Sequence, residues 1–129
     1  MAFLPYSYDD GQPRPFEYYK LSAAGDIEIG KAMALSSGKL VASATPVYVC
    51  MRTEKSAAAD AVVPVIRIDR DIVFEAPLAE AVTTLKAGAK CDVSADGLSI
   101  AKTTTNSNIE IVSMDGTAKD SLCRVRFVG

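Results

Sequence analysis

Between Val62 and Glu75 the chain alternates, with Ile66, Ile68, Ile72 and Phe74 on one side of an extended backbone and Arg67, Asp69, Asp71 and Glu75 on the other. A period of two marks a strand with one buried face. The same alternation closes the chain, where Cys123, Val125 and Phe127 share a face and Arg124 and Arg126 take the opposite one. Shorter apolar runs lie at Ile27 to Ile29, Ala32 to Leu35, Leu40 to Val41, Val47 to Met51 and Ile109 to Met114. They are punctuated by Gly25, Gly30, Ser37-Gly38 and Asp115-Gly116. Asp96-Gly97, set between Cys91 to Ser94 and Leu98 to Ile100, is a strong hairpin signal because glycine takes positive φ at little cost. Helical spacing occurs at Pro77 to Lys86, where Leu78, Val82 and Leu85 form a stripe, Pro77 suits a first turn and Gly88 stands past the end. Short strands at this spacing predict one mostly β domain over residues 21–129, a small β-barrel or a tulip-like or sandwich fold, with one short helix.

Residues 1–20 differ from the rest. Six of the chain's nine aromatics stand here, Phe3, Tyr6, Tyr8, Phe16, Tyr18 and Tyr19, with Pro5, Pro13 and Pro15 among them. Proline lacks a donor and biases its predecessor away from helix, so the segment reads as an extended N-terminal arm with a turn at Asp9-Asp10-Gly11. Two placements are open: the arm packs over its own domain, or its aromatics anchor on a neighbour.

A chain of 129 residues builds one core. Its net charge of -2, with basic residues scattered, argues against nucleic-acid binding, which needs clustered Lys and Arg. No apolar stretch approaches the roughly 20 residues that span a bilayer, and no secretory leader pattern opens the chain, so synthesis in a cytoplasm is expected. With no histidine, the usual base of a serine triad and a common zinc ligand are both missing. Cys50, Cys91 and Cys123 are widely spaced within apolar runs, the pattern of buried free thiols. No catalytic residue, metal or cofactor is expected. The carboxylates Asp69 and Asp71 are spaced to meet Arg124 and Arg126; if their strands are neighbours the pairs are intramolecular, and if they lie on different subunits the charges set register in an oligomer.

The order of features resembles the head decoration, or capsid cement, proteins of tailed bacteriophages, of the head-fibre-like kind. The resemblance is carried by YDDGQPRPFEYY at 8–19, GDIEIGKAMALSSGKLV at 25–41, PVYVCMR at 46–52, VPVIRIDRDIVFEAPL at 63–78, LKAGAKCDVSADGLSI at 85–100, EIVSMDGTA at 110–118 and VRF at 125–127. It implies a β-rich domain that adds to the outside of an assembled capsid in the virion, a major capsid protein as partner, and a homo-oligomer, with a trimer favoured. It also implies that the arm contacts the shell through Phe3, Tyr6, Tyr8, Phe16, Tyr18 and Tyr19. Other expectations are a tail or head-completion component, told apart by its ring symmetry, and an intracellular ligand-binding barrel, which would need an aromatic-lined pocket built around Phe74, Phe127 or Tyr48.

Overall fold

In the computed structural model, which describes residues 2–128, the first and last residues of the expected arm and domain lie outside the described residues. The strands are β1 (Leu4–Tyr8), β2 (Glu17–Lys20), β3 (Gly25–Ile27), β4 (Ala32–Ser36), β5 (Lys39–Ala42), β6 (Tyr48–Cys50) and β7 (Glu54–Ala57). They continue as β8 (Val62–Arg67), β9 (Ile72–Pro77), β10 (Lys90–Val93), β11 (Ile100–Ala101), β12 (Ile109–Met114) and β13 (Leu122–Phe127). A six-stranded sheet runs β1-β9-β13-β12-β10-β11, a five-stranded sheet runs β2-β8-β6-β4-β5, and β3 pairs with β7 alone. All strand pairs are antiparallel.

Local turn chemistry sets several strand ends. Ser37 and Gly38 both take positive φ (51° and 78°), the geometry of a two-residue hairpin, and Ser36 faces Lys39 across it. Asp96-Gly97 closes the β10–β11 hairpin as its sequence predicts, with Asp96 Oδ1 accepting the Leu98 N–H at 3.0 Å. Gly97 also ties the two large sheets together, because its carbonyl accepts the Ala32 N–H at 2.8 Å. A Cβ at position 97 would lie 2.3 Å from the Ala32 carbonyl oxygen at φ +74°, so the approach requires glycine.

The larger core lies where the two big sheets face each other. Phe74, Ile72 and Ala76 of β9, Val125, Cys123 and Phe127 of β13, and Ile109 and Ile111 of β12 meet Ala32, Val49 and Ile66 of the five-stranded sheet. Against the expectation of a single core, a second one covers the other face of the five-stranded sheet, where Met33, Tyr48, Cys50, Val63 and Val65 pack with Ile27 of β3 and Ala57 of β7. Covered on both faces, β6 is buried at all three positions, a continuous apolar run instead of an alternation. The three cysteines are free and buried.

Three further expectations are corrected. Residues 77–86 form no helix: the N–H groups of Leu78, Ala79 and Val82 donate to the carbonyls of Ser121, Ile100 and Thr117, so long-range pairing takes the amides a helix would have used. Leu78 and Val82 are still buried in the larger core, which explains why their spacing mimics a helical stripe. The sheets are not closed into a barrel; among the described residues the edges of the five-stranded sheet are linked by an isolated bridge, Leu21 to Leu40, and not by a strand ladder. Finally, Val62 to Glu75 is two strands in different sheets. β8 ends at Arg67, the chain turns with Asp69 Oδ1 accepting the Asp71 N–H at 2.8 Å, and β9 begins at Ile72. The alternation survives this corner because Ile66, Ile72 and Phe74 all point into the same core.

Candidate interaction surface

The N-terminal segment supplies an edge strand to each large sheet. β1 lies beside β9, with Leu4 opposite Glu75 and Tyr8 opposite Ile72, and β2 lies beside β8, with Glu17 opposite Val65 and Lys20 opposite Val62. The expected turn joins them: the Gly11 N–H donates to the Tyr8 carbonyl at 3.0 Å. Phe3 is fully buried, its ring 5.7 Å from that of Phe127, and its N–H donates to the Gly30 carbonyl at 2.8 Å.

The six aromatics therefore divide. Phe3 is core, Tyr8 packs partly buried against the larger core, and Tyr19 packs against the smaller one. Tyr6, Phe16 and Tyr18 face solvent at 59%, 49% and 63% exposure. Tyr6 sits at a bulge in β1, where one extra residue shifts the register between Pro5 and Ser7, and its ring lies 5.1 Å from the Arg124 guanidinium. Tyr18 stands opposite Pro64 in β8. Proline within an inner strand forfeits a ladder bond. Here the Pro64 carbonyl accepts the Met51 N–H, one residue beyond the end of β6, so its missing donor falls outside the β6 ladder.

Strand alternation gives β2 two different faces. Glu17 and Tyr19 join Tyr48 and Arg67 in a polar cluster that caps the smaller core. The Tyr19 hydroxyl donates to Glu17 Oε1 at 2.8 Å, and the Arg67 guanidinium grips both Glu17 oxygens at 3.0 and 3.1 Å while lying 5.1 Å from the centre of the Tyr48 ring. The hydrogen bonds from Arg67 hold the Glu17 carboxyl below its ordinary value, and the Tyr48 hydroxyl 3.1 Å away pushes the Tyr19 phenol up. On the opposite face, Tyr18 and Lys20 are joined by Val62 of β8, 50% exposed, and Phe16 is exposed just before the strand begins. Sequence reasoning missed Val62 because it opens the unbroken apolar run Val62-Val63-Pro64-Val65, which hides which members are outward.

The charges considered for subunit contacts are placed as follows. β9 and β13 are neighbours, yet Arg124 pairs with Glu75 at 2.9 Å and with Asp115, and Arg126 pairs with Asp9 of the N-terminal segment. Asp69 is held by Arg14, Nε to Oδ2 at 2.7 Å, and this contact lowers its pKa. Asp71 is exposed in the turn between the sheets. Arg14, which also meets Asp10 at 3.1 Å, is the residue the sequence did not flag, masked between Pro13 and Pro15.

A groove of about 490 Å³ is lined by Thr45, Pro46, Val47, Ile68, Asn106, Asn108 and Phe127, so Phe127 is its one aromatic. Phe74 and Tyr48 are buried in the two cores. Among the described residues no three His, Cys, Asp or Glu side chains are grouped to hold a metal ion, and no helix is long and apolar enough to cross a membrane. Comparison with protein-family models, with curated proteins and with solved structures returns no match for this chain.

Proposed function

We propose that the chain is a structural protein of a tailed-phage virion that binds the outer surface of the assembled capsid and stabilises it, acting as a decoration or cement protein on the major capsid protein. The observation that supports this reading most is the exposure of Tyr6 and Tyr18 on strands that are themselves fixed in the two large sheets, and of Phe16 immediately before the second of these strands. Large aromatics exposed on a rigid backbone give nothing to this chain's own core, and they supply contact area at low entropic cost when a partner covers them. A capsid repeats its sites, so contacts that are modest for one chain become durable when an oligomer, a trimer in this proposal, engages several at once. The partly buried ion pairs of Arg14 with Asp69 and of Arg126 with Asp9 hold the segment in place while it docks.

The test uses shells of the encoding phage assembled without this protein. The chain is expected to sediment with them, and the triple variant Tyr6→Ser, Phe16→Ser, Tyr18→Ser to bind at least ~10-fold more weakly while keeping its fold. Failure of the natural chain to bind such shells, or equal binding by the variant, would overturn the proposal.

A further inference from the structure

The groove of about 490 Å³ is formed where loops of both large sheets meet, and it carries none of the rings assigned to the shell. Its walls come from the link between β5 and β6 (Thr45, Pro46, Val47), the corner between β8 and β9 (Ile68) and the loop between β11 and β12 (Asn106, Asn108). These walls are held in place. Asn108 Nδ2 donates to the Ala44 carbonyl at 2.8 Å, which ties two of the loops together, and the Asn106 N–H donates to the buried Asp92 carboxylate at 2.8 Å. The floor is apolar, with Val47 43% exposed and Ile68 half-buried against the larger core.

Two carboxamides in the walls are incompletely used. Because a carbonyl fixes Nδ2 of Asn108, the other terminal atom is the acceptor Oδ1, and it is buried with no partner among the described residues. Such an acceptor is costly to leave unpaired. The Asn106 carboxamide, on an exposed side chain, has no hydrogen bond among the described residues. We propose that the groove binds an extended, uncharged peptide segment of another protein, through its backbone and one aliphatic side chain. Each peptide residue brings one N–H and one C=O, and a carboxamide offers the matching acceptor and donor. The Asn106 carboxamide pairs with the backbone of the segment, a backbone N–H supplies the donor that Asn108 Oδ1 lacks, and the aliphatic side chain sits on Val47 and Ile68. Oδ1 is closed off before binding, so a wall side chain must yield to admit the donor; Asn106, exposed and unbonded through its carboxamide, is free to do so. A saccharide fits less well, because it stacks on an open ring and pairs its hydroxyls with acids, whereas Phe127 is 6% exposed and no acid lines the groove. A charged ligand finds no opposite charge among the lining residues.

Area sets the strength. One side chain and a short stretch of backbone bury far less than the roughly 800 Å² per partner of a standard stable interface, so binding is weak, with a Kd on the order of 0.1–1 mM. The groove does not depend on capsid binding and is measured with no shell present, so the two fail separately.

The experiment is an amide NMR titration of the full isotope-labelled chain with the end-capped peptide Thr-Val-Leu-Val-Thr, up to about 5 mM. Saturable shifts are expected at Val47, Ile68, Asn106 and Asn108. Replacing the central leucine of the peptide by aspartate is expected to weaken binding roughly tenfold, as are Val47→Ser and Asn106→Ala in the chain, whose side chains are exposed and whose spectra report an intact fold. No saturable shift, equal binding of the aspartate peptide, binding that neither substitution changes, or saturable binding of methyl glucoside in place of the peptide would overturn the proposal.

Discussion

Phe3→Ala is expected to lower the free energy of unfolding by about 3–5 kcal/mol, the range for removing a fully buried phenylalanine and leaving a cavity. Phe3 meets the requirement, since it is completely buried against Phe127 and its backbone is seated on Gly30. The seat is tight: a Cβ on Gly30 would lie 2.8 Å from the Phe3 nitrogen. The exposed ring of Tyr18, on β2 in the other large sheet, supplies the contrast, because Tyr18→Ala should change stability by no more than about 0.5 kcal/mol. Urea unfolding of both variants separates them through the midpoint at constant slope. Deleting residues 1–20 removes Phe3 and an edge strand from each of the two large sheets, so the truncated chain should fail to fold cooperatively. A Phe3→Ala variant as stable as Tyr18→Ala would show that the segment is an appendage.

Asp92→Ala is the second large effect, about 3 kcal/mol, from removing a buried carboxylate that accepts four hydrogen bonds. Asp92 is a buried acid on β10 whose carboxylate accepts the Thr103 hydroxyl at 2.6 Å and the N–H groups of Thr105, Asn106 and Ser107 at 3.0, 2.8 and 2.7 Å. It thereby folds the polar loop Thr103 to Asn108 and holds Ser107 at φ +47°, a left-handed conformation that serine rarely adopts. Asp92→Asn should recover little, since its amide nitrogen would face another donor. Burial raises the pKa of this carboxyl, but the four hydrogen bonds outweigh it and the net displacement is below the ordinary 3.8. A carboxyl depressed on folding contributes stability that is present above its unfolded value and is lost as pH falls through the folded one. The natural chain should therefore lose stability below about pH 4, and Asp92→Ala should show a shallower loss over the same window, as read from urea midpoints at successive pH values.

The parts of this fold legible in the sequence are those decided within a few residues. The closing strand alternates as its sequence requires, with Cys123, Val125 and Phe127 buried and Arg124 and Arg126 outward, because period two is a property of one strand and one core. The Asp96-Gly97 hairpin follows from positive φ at one glycine. Illegible were the features decided by distant partners. The corner at Ile68 to Asp71 passes the chain from one sheet to the other without breaking the phase of its apolar residues, so a run of Ile66, Ile72 and Phe74 looks like one strand. The stripe of Leu78, Val82 and Leu85 serves a core while its amides bond to Ser121, Ile100 and Thr117. At the candidate site, the aromatic character of residues 1–20 was plain, but the division into Phe3 inside and Tyr6, Phe16 and Tyr18 outside depends on a bulge and on which edge each strand joins. Asp92 passed unnoticed because its partners lie 11 to 15 residues away in a loop that reads only as polar.

The exposed aromatics Tyr6 and Tyr18 stand on folded edge strands and not on a loose arm, and amide hydrogen exchange of the isolated chain distinguishes the two. The Phe3 amide, bonded to Gly30, and the amides of β2 that face β8 are expected to be protected to a degree comparable with their partners in β8 and β9. Exchange of residues 3–20 at the rate of an unstructured peptide, with β8 and β9 still protected, would contradict it.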